Sequence, residues 1–261
     1  MSLKGKSAVV TGSSSGIGLG IAKALAEQGV NIMLNGFGDT AETISTLKAE
    51  ISALGVKVEY SPADVGNPAQ VAEMIEGAAK AFGSVDILVN NAGIQFVASI
   101  DQFPIEKWNA VIATNLSSAF YTSRVAIPHM RAKNWGRIIN IASAHGLVGS
   151  PNKSAYVAAK HGIVGFTKVA ALELAGSGVT SNAICPGWVL TPLVQKQIDA
   201  IAAKDGLNNE QASKKLLEEK QPSMQFVTPE QVGKLVLFLC SDGADQITGS
   251  AYSIDGGWVA R

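Results

Sequence analysis

The sequence predicts a doubly wound α/β fold: a parallel sheet of about seven strands with helices on both faces. Three features predict it. Short apolar, β-branched runs alternate with stretches of helical periodicity along the chain. A glycine-rich turn, Gly12-Ser13-Ser14-Ser15-Gly16-Ile17-Gly18, separates the first run from the first helical stretch. No internal repeat or low-complexity linker divides the 261 residues, so one domain is expected over 1–261.

The elements follow in order. Ser7-Ala8-Val9-Val10 reads as the first strand, and 17–28 as a helix whose inner face carries Ile17, Ile21, Ala24 and Leu25 and which ends at Gly29. A strand is expected at 30–35, a helix at 41–54, a strand at 56–60 and a helix at 68–82. Asp86-Ile87-Leu88-Val89-Asn90 is the fourth strand. One unbroken helix is predicted over 106–133, then a strand at 136–142. A helix carrying Tyr156 runs to about residue 175, with strands at 179–185 and 251–254 and a helix at 228–241 completing the pattern. The segment 189–223 is different. It has helical patterns, with charges at Lys196, Lys204, Glu218, Glu219 and Lys220, but no strand. An insertion there is either a lid over the carboxyl edge of the sheet or a surface helical hairpin.

Composition narrows the function classes. The chain is 47% hydrophobic and 16% charged with zero net charge, so it has no electrostatic footprint for nucleic acid or an anionic membrane. Cys185 and Cys240 lie in apolar surroundings and are expected to be reduced core residues. Met1-Ser2-Leu3-Lys4-Gly5-Lys6 runs straight into a strand without a signal-peptide apolar region, and no apolar run is long enough to span a bilayer. A cytoplasmic protein is expected.

The chemistry centres on Ser143 and Ser154-Ala155-Tyr156-Val157-Ala158-Ala159-Lys160. Residues four apart share a helix face, so Tyr156 and Lys160 project side by side. The ammonium is expected to lower the phenol pKa. Bringing a phenol from about 10 to about 7 takes roughly 4 kcal/mol. A charge ~4 Å away gives about 1 kcal/mol in bulk water and about 4 at an effective dielectric near 20. The pair therefore needs a dehydrated cleft or a second positive charge, such as an oxidised nicotinamide ring. The glycine turn, between a strand and a helix, offers free N–H groups and a positive helix end to a pyrophosphate. Its spacing is G-x-x-x-G-x-G rather than G-x-G-x-x-G.

In this order and spacing, Thr11-Gly12-x-x-x-Gly16-Ile17-Gly18, Asn90-Asn91-Ala92-Gly93, Asn115, Ser143, Tyr156-x-x-x-Lys160 and Pro186-Gly187 resemble the short-chain dehydrogenase/reductase family over nearly the whole chain. That resemblance implies a Rossmann-like fold, a nicotinamide cofactor, a small-molecule substrate and a homotetramer. It implies catalytic roles for Asn115, Ser143, Tyr156 and Lys160. Ser143 holds the substrate oxygen, Tyr156 takes the alcohol proton, Lys160 supports the phenolate and the nicotinamide ribose, and Asn115 anchors a relaying water. The cofactor set it implies is Gly12, Ser14, Ser15, Gly16, Ile17, Gly18, Phe37, Ala63, Asp64, Val65, Asn91, Ala92, Gly93, Tyr156, Lys160, Pro186, Gly187, Trp188, Val189 and Thr191. No metal ligand is assigned.

Two specificities are read from the residues. After the second strand comes Asn35-Gly36-Phe37-Gly38, with neither the acid that often meets a free ribose nor a base for a 2′-phosphate. A phosphate would find no partner, so NAD is expected, with Phe37 on the adenosine side. His145 and Lys153 flank the catalytic positions and suggest a carboxylate grip, with Gln95 and Gln197 as neutral donors and Trp188 and Trp258 as an apolar wall. The alternatives are a solvated Lys153, a turn-capping His145 and core tryptophans. Stretches including Gly93-Ile94-Gln95, Ser143-Ala144-His145-Gly146-Leu147, Asn152-Lys153 and Glu219-Lys220-Gln221-Pro222-Ser223 resemble the D-3-hydroxybutyrate dehydrogenase branch of that family. The branch implies interconversion of (R)-3-hydroxybutyrate and acetoacetate, with Gln95, His145, Lys153 and Gln197 on the carboxylate. Phe96 and Thr114 depart from its usual residues. The rivals are a 3-oxoacyl thioester reductase using NADPH and a nucleotide-sensing protein without catalysis.

Overall fold

The computed structural model describes residues 2–260; Met1 and Arg261, the two ends of the expected domain, lie outside them. Among the described residues, seven strands form one sheet in the order β3-β2-β1-β4-β5-β6-β7. They are β1 (Ser7–Val10), β2 (Asn31–Asn35), β3 (Val58–Ser61), β4 (Ile87–Asn90), β5 (Gly136–Ile141), β6 (Val179–Pro186) and β7 (Ala251–Ile254). Every neighbouring pair is parallel, with register such as Val9↔Met33, Val9↔Leu88 and Ile139↔Asn182. The chain order reverses between β1 and β4. Ligands of open parallel sheets bind in the crevice at the carboxyl ends of strands flanking such a reversal.

Alternation along the strands builds two cores. Ala8 and Val10 face one side with Ile21 and Leu25 of α1 (Gly16–Glu27) and Val232 and Val236 of α9 (Pro229–Leu239). Val9 faces the other, with Val71 and Ile75 of α3 (Pro68–Phe82) and Met130 of α5 (Ser118–Ala132). The central strands are therefore apolar throughout, as strands covered on both faces must be. Helix α2 (Ala41–Ser52) precedes β3. Cys185 and Cys240 are free and buried. Among the described residues, no helix is long and apolar enough to cross a membrane.

The helix expected over 106–133 is present as one helical run over 105–132, but it is not α-helical throughout. It divides into α4 (Ile105–Ile112), a π-helical turn at Ala113–Ser117 and α5. The turn brings Asn115 inward, where its Oδ1 accepts from the Ile94 N–H and its Nδ2 donates to the Ile94 carbonyl, both at 2.9 Å. Two good bonds in a buried place compensate for the irregular turn, and π turns concentrate at functional sites.

Residues 189–223 hold two helices, α7 (Pro192–Asp205) and α8 (Asn209–Lys220). Thr191 caps α7, Gly206 ends it at φ 65°, and Asn208 and Gln211 form a capping box for α8. The hairpin packs Val194, Ile198, Leu216 and Leu217 onto Ala144, Trp188 and Trp258, a small core of its own above the sheet edge.

Candidate active site

The crevice between β1 and β4 is locked by two side chains that bond its backbone. Thr11 Oγ1 accepts from the Asn91 and Ala92 N–H groups at 3.0 Å, and Asn91 Nδ2 donates to the Thr11 and Gly12 carbonyls at 2.9 Å. Gly12 has φ +60°, and a Cβ there would sit 2.9 Å from the Ala92 Cα. Gly18 is in ordinary helical backbone, but its Cβ would sit 2.4 Å from the Gly12 carbonyl oxygen. The glycines thus keep backbone against backbone where α1 begins, the site a pyrophosphate would use.

From this turn a groove of about 630 Å³ runs along the sheet edge. Gly12, Ser14, Ser15, Gly16, Ile17, Phe37, Ala63, Asp64, Val65, Asn91, Ala92, Gly93 and Thr191, all expected for a cofactor, line it. Gly18 does not line it and serves through packing instead. The lining contains Asp64 but no lysine, arginine or histidine. Phe37 is 77% exposed at the groove wall, so it is not a core residue. Asn35 is spoken for: Oδ1 accepts from the Gly12 N–H at 3.1 Å, and Nδ2 donates to the Ser61 and Ala63 carbonyls. It braces the glycine turn and two strand ends. A shape made for close backbone approach fits a nicotinamide dinucleotide.

The groups expected to be catalytic stand at the groove's end. β5 stops at Ile141, and Ser143 follows in extended conformation, its Oγ accepting from the His145 N–H at 3.1 Å. Helix α6 (Ser154–Glu173) puts Tyr156 and Lys160 one turn apart, with the Lys160 Nζ 5.6 Å from the Tyr156 ring centroid. That Nζ donates to the Ile141 carbonyl at 2.7 Å. Ser143 also hydrogen-bonds the Tyr156 hydroxyl. Tyr156, Lys160, Ser143, Gln95, Pro186, Gly187 and Asn91 line one connecting cavity of about 140 Å³. Asn115 stands behind it, with its amide committed to Ile94.

Electrostatics here differ from the sequence expectation. The protein's own groups do not lower the Tyr156 pKa; burial raises it above 10, and the Ser143 hydrogen bond offsets this in part. Lys160, 4% exposed, is itself pushed down to about 8 by burial. Desolvation is the largest cause of both shifts, because both groups leave water together. A basic phenol in this cleft needs the further positive charge that an oxidised nicotinamide brings.

Beyond Tyr156 lies a pocket of about 120 Å³ lined by Gln95, Ser143, His145, Lys153, Trp188, Val189, Gln197 and Trp258, among others. Every residue expected at the substrate is in it. Trp188 and Val189, expected at the cofactor, belong to this pocket rather than to the long groove. Trp258 meets His145 edge-on at 5.0 Å and Trp188 at 5.6 Å. The His145 Nε2 and Trp188 Nε1 are buried without a protein partner. Burial first, then Lys153, Lys220 and His161, hold the His145 pKa down at about 4, so the ring is neutral at pH 7. Lys153 is lowered by burial and then by Lys220, with Glu219 opposing. Unpaired donors and crowded ammonium groups together favour a small anion. Sequence reasoning missed Leu193, which lines all three cavities, Ile94 and Pro192 at the groove, and the buried Gln221, whose Oε1 takes the Trp188 N–H at 2.7 Å. Among the described residues no cluster of three or more His, Cys, Asp or Glu is placed to hold a metal.

Comparison with known proteins places this site in context. A family profile described as enoyl-(acyl carrier protein) reductase matches residues 12–259. The chain is 61% identical to D-beta-hydroxybutyrate dehydrogenase of Cupriavidus necator over 261 residues, 99% of this chain and 100% of that one. It is 57% identical to the enzyme of the same name from Rhizobium meliloti over 257 residues, 98% and 99% of the two chains. Its fold superposes with TM-score 0.90 on the crystal structure of an actinorhodin polyketide ketoreductase variant with NADPH, at 34% identity and 97% coverage of both chains. On its seven-stranded parallel sheet, its cleft and these relatives, the chain belongs to the short-chain dehydrogenase/reductase family.

Proposed function

We propose that the protein interconverts (R)-3-hydroxybutyrate and acetoacetate, with NAD as the hydride carrier. The observation that carries this is the junction of Ser143, Tyr156 and Lys160 with a small pocket walled by Gln95, His145, Lys153 and Gln197. Identity of 61% and 57% to two D-beta-hydroxybutyrate dehydrogenases supports the same reading. A pocket of about 120 Å³ suits a molecule of a few carbons and not an acyl chain presented on a carrier. A groove lined by Asp64 and by no lysine, arginine or histidine favours NAD over NADP, although the solved ketoreductase is described with NADPH.

In this proposal the substrate carboxylate lies against Lys153, with Gln95, Gln197 and the neutral His145 supplying hydrogen bonds. The methyl end lies on Trp188 and Trp258. The alcohol oxygen lies between Ser143 and Tyr156. A bound oxidised nicotinamide supplies the hydride acceptor and a positive charge beside the phenol. Tyr156 as phenolate accepts the alcohol proton, Ser143 holds the oxygen in both oxidation states, and Lys160, fixed to the Ile141 carbonyl, keeps its charge near the phenol. Asn115, tied to the Ile94 backbone, anchors the proton's way out. The reading also includes the α7–α8 hairpin as a substrate lid on one catalytic domain, a homotetramer and a cytoplasmic setting.

The test compares turnover of (R)-3-hydroxybutyrate with NAD or NADP against reduction of a short 3-oxoacyl thioester with NADPH. Turnover of the hydroxy acid with NAD, favoured about 100-fold over NADP for want of a phosphate partner, is expected. Thioester reduction with NADPH as the faster reaction would replace this reading with the reductase one. Failure to turn over either substrate would favour a nucleotide-sensing role.

A further inference from the structure

Lys220 is the last residue of α8, and no role above uses it. Its Nζ donates to Ser150 Oγ at 3.2 Å, lies 5.4 Å from the Trp258 ring centroid and pairs with Glu219 Oε1 at 3.2 Å. The side chain is 20% exposed, well below the 59% of its neighbour Glu219. A lysine with no task would extend its ammonium into water, because ordering so flexible a stem costs about 2 kcal/mol of rotamer entropy. This one is turned back onto the active-site wall.

Its contacts reach separate pieces of that wall. Ser150 lies in the loop that leads to Lys153, and Trp258 packs against both His145 and Trp188. The next residue, Gln221, holds the Trp188 backbone. One ammonium therefore bridges the hairpin, the carboxy-terminal turn and the Lys153 loop.

We propose that Lys220 is a positioning residue for the substrate: it clamps the Trp258 ring and the 150–153 loop around Lys153 and adds a second positive charge to the wall of the anion pocket. The inference rests on the assignment of that pocket to a carboxylate. The local charges agree with it. Lys153 faces Lys220 and Glu219, and His145 faces Lys153, Lys220 and His161. The Lys220 charge helps to lower the Lys153 pKa, and an anion held at Lys153 relieves that repulsion.

Binding rather than turnover tests this. Butyrate is titrated into the protein–NADH complex and followed by NADH fluorescence, from neutral to alkaline pH, for wild type, Lys220→Met, Lys220→Arg and Lys153→Met. Lys220→Met is expected to weaken butyrate about tenfold and leave NADH affinity unchanged, while Lys220→Arg keeps most of the affinity. The pH at which butyrate affinity falls is expected to move upward in Lys220→Met, because Lys153 has lost a like-charged neighbour. A purely structural lysine would weaken binding without moving that pH. Unchanged butyrate affinity in Lys220→Met, an equal loss in Lys220→Arg, an unmoved pH dependence, or no butyrate binding by wild type would each overturn the inference. Hydroxybutyrate turnover, measured separately, reports on the proposed reaction: butyrate held through Lys220 without oxidation of hydroxybutyrate would refute the reaction and leave this inference standing.

Discussion

Replacing Lys153 by methionine removes one charge and keeps the stem that packs toward Trp188, whose ring centroid is 5.5 Å from the lysine Nζ. A hydrogen bond to a charged group contributes about 1.5–3 kcal/mol, and truncating one partner of a desolvated charge pair costs about 2–5 kcal/mol. Lys220 remains nearby and supplies part of the lost field, so the lower end applies, about 2–3 kcal/mol. That is roughly a 30- to 150-fold fall in kcat/KM. In the proposed pose the carboxylate sits away from the reacting carbon and is held equally in the ground and transition states, so the loss belongs in KM, with kcat changed by less than about threefold. The assay is steady-state oxidation of (R)-3-hydroxybutyrate at saturating NAD, with NAD affinity measured by calorimetry and a neutral secondary alcohol as control substrate. NAD affinity and the control reaction should be unaffected. An unchanged hydroxybutyrate KM, or an equal loss with the neutral alcohol, would remove the carboxylate grip from the account.

Further outcomes follow from the same geometry. Tyr156→Phe should lower kcat by about 10³-fold or more while NADH still binds within about threefold, since only proton transfer is lost; a stopped-flow single-turnover experiment separates the two. His145 is held near 4 in the folded protein against an ordinary 6.5, so the unfolded chain binds more protons between those values and stability rises with pH through that window. The contribution is on the order of 3 kcal/mol, and His145→Gln should flatten the urea-midpoint profile between pH 4 and 6.5. Gly18→Ala places a carbon 2.4 Å from the Gly12 carbonyl oxygen and should cost about 1–3 kcal/mol of stability and weaken NAD binding, both seen as a fall in the melting temperature and in its rise with added NAD.

What the sequence disclosed and what it withheld have physical reasons. Tyr156 and Lys160 meet because a four-residue step returns to the same helix face, a local rule indifferent to the rest of the fold. The glycine turn was legible because strand, glycines and helix follow one another without interruption. The π turn at Ala113–Ser117 was not, because the apolar period of 106–133 passes through it unbroken and its cause is a bond to Ile94, distant in the chain. The bracing role of the Asn35 amide was not legible either, because its three bonds are tertiary and leave no local pattern. The direction of the Tyr156 shift was also out of reach. It depends on how much water the folded cleft excludes, which a helical spacing does not report. Lys220 looked like one charge among several on a solvated hairpin, and only the return of the carboxy-terminal turn beneath it gives it neighbours.

Because all seven strands run the same way, the sheet has a working rim and an idle one. Gly55, between α2 and β3, and Gly83, between α3 and β4, turn the chain at the idle rim at φ +85° and +90°, which reserves both positions for glycine, while Ala53 and Ala81 beside them are exposed. A tether, dye or electrode linker attached at either alanine would leave the mouth of the cleft facing the sample. The parallel arrangement that gathers the chemistry at one end thus provides, at the other, a handle for turning the molecule into an immobilised sensor.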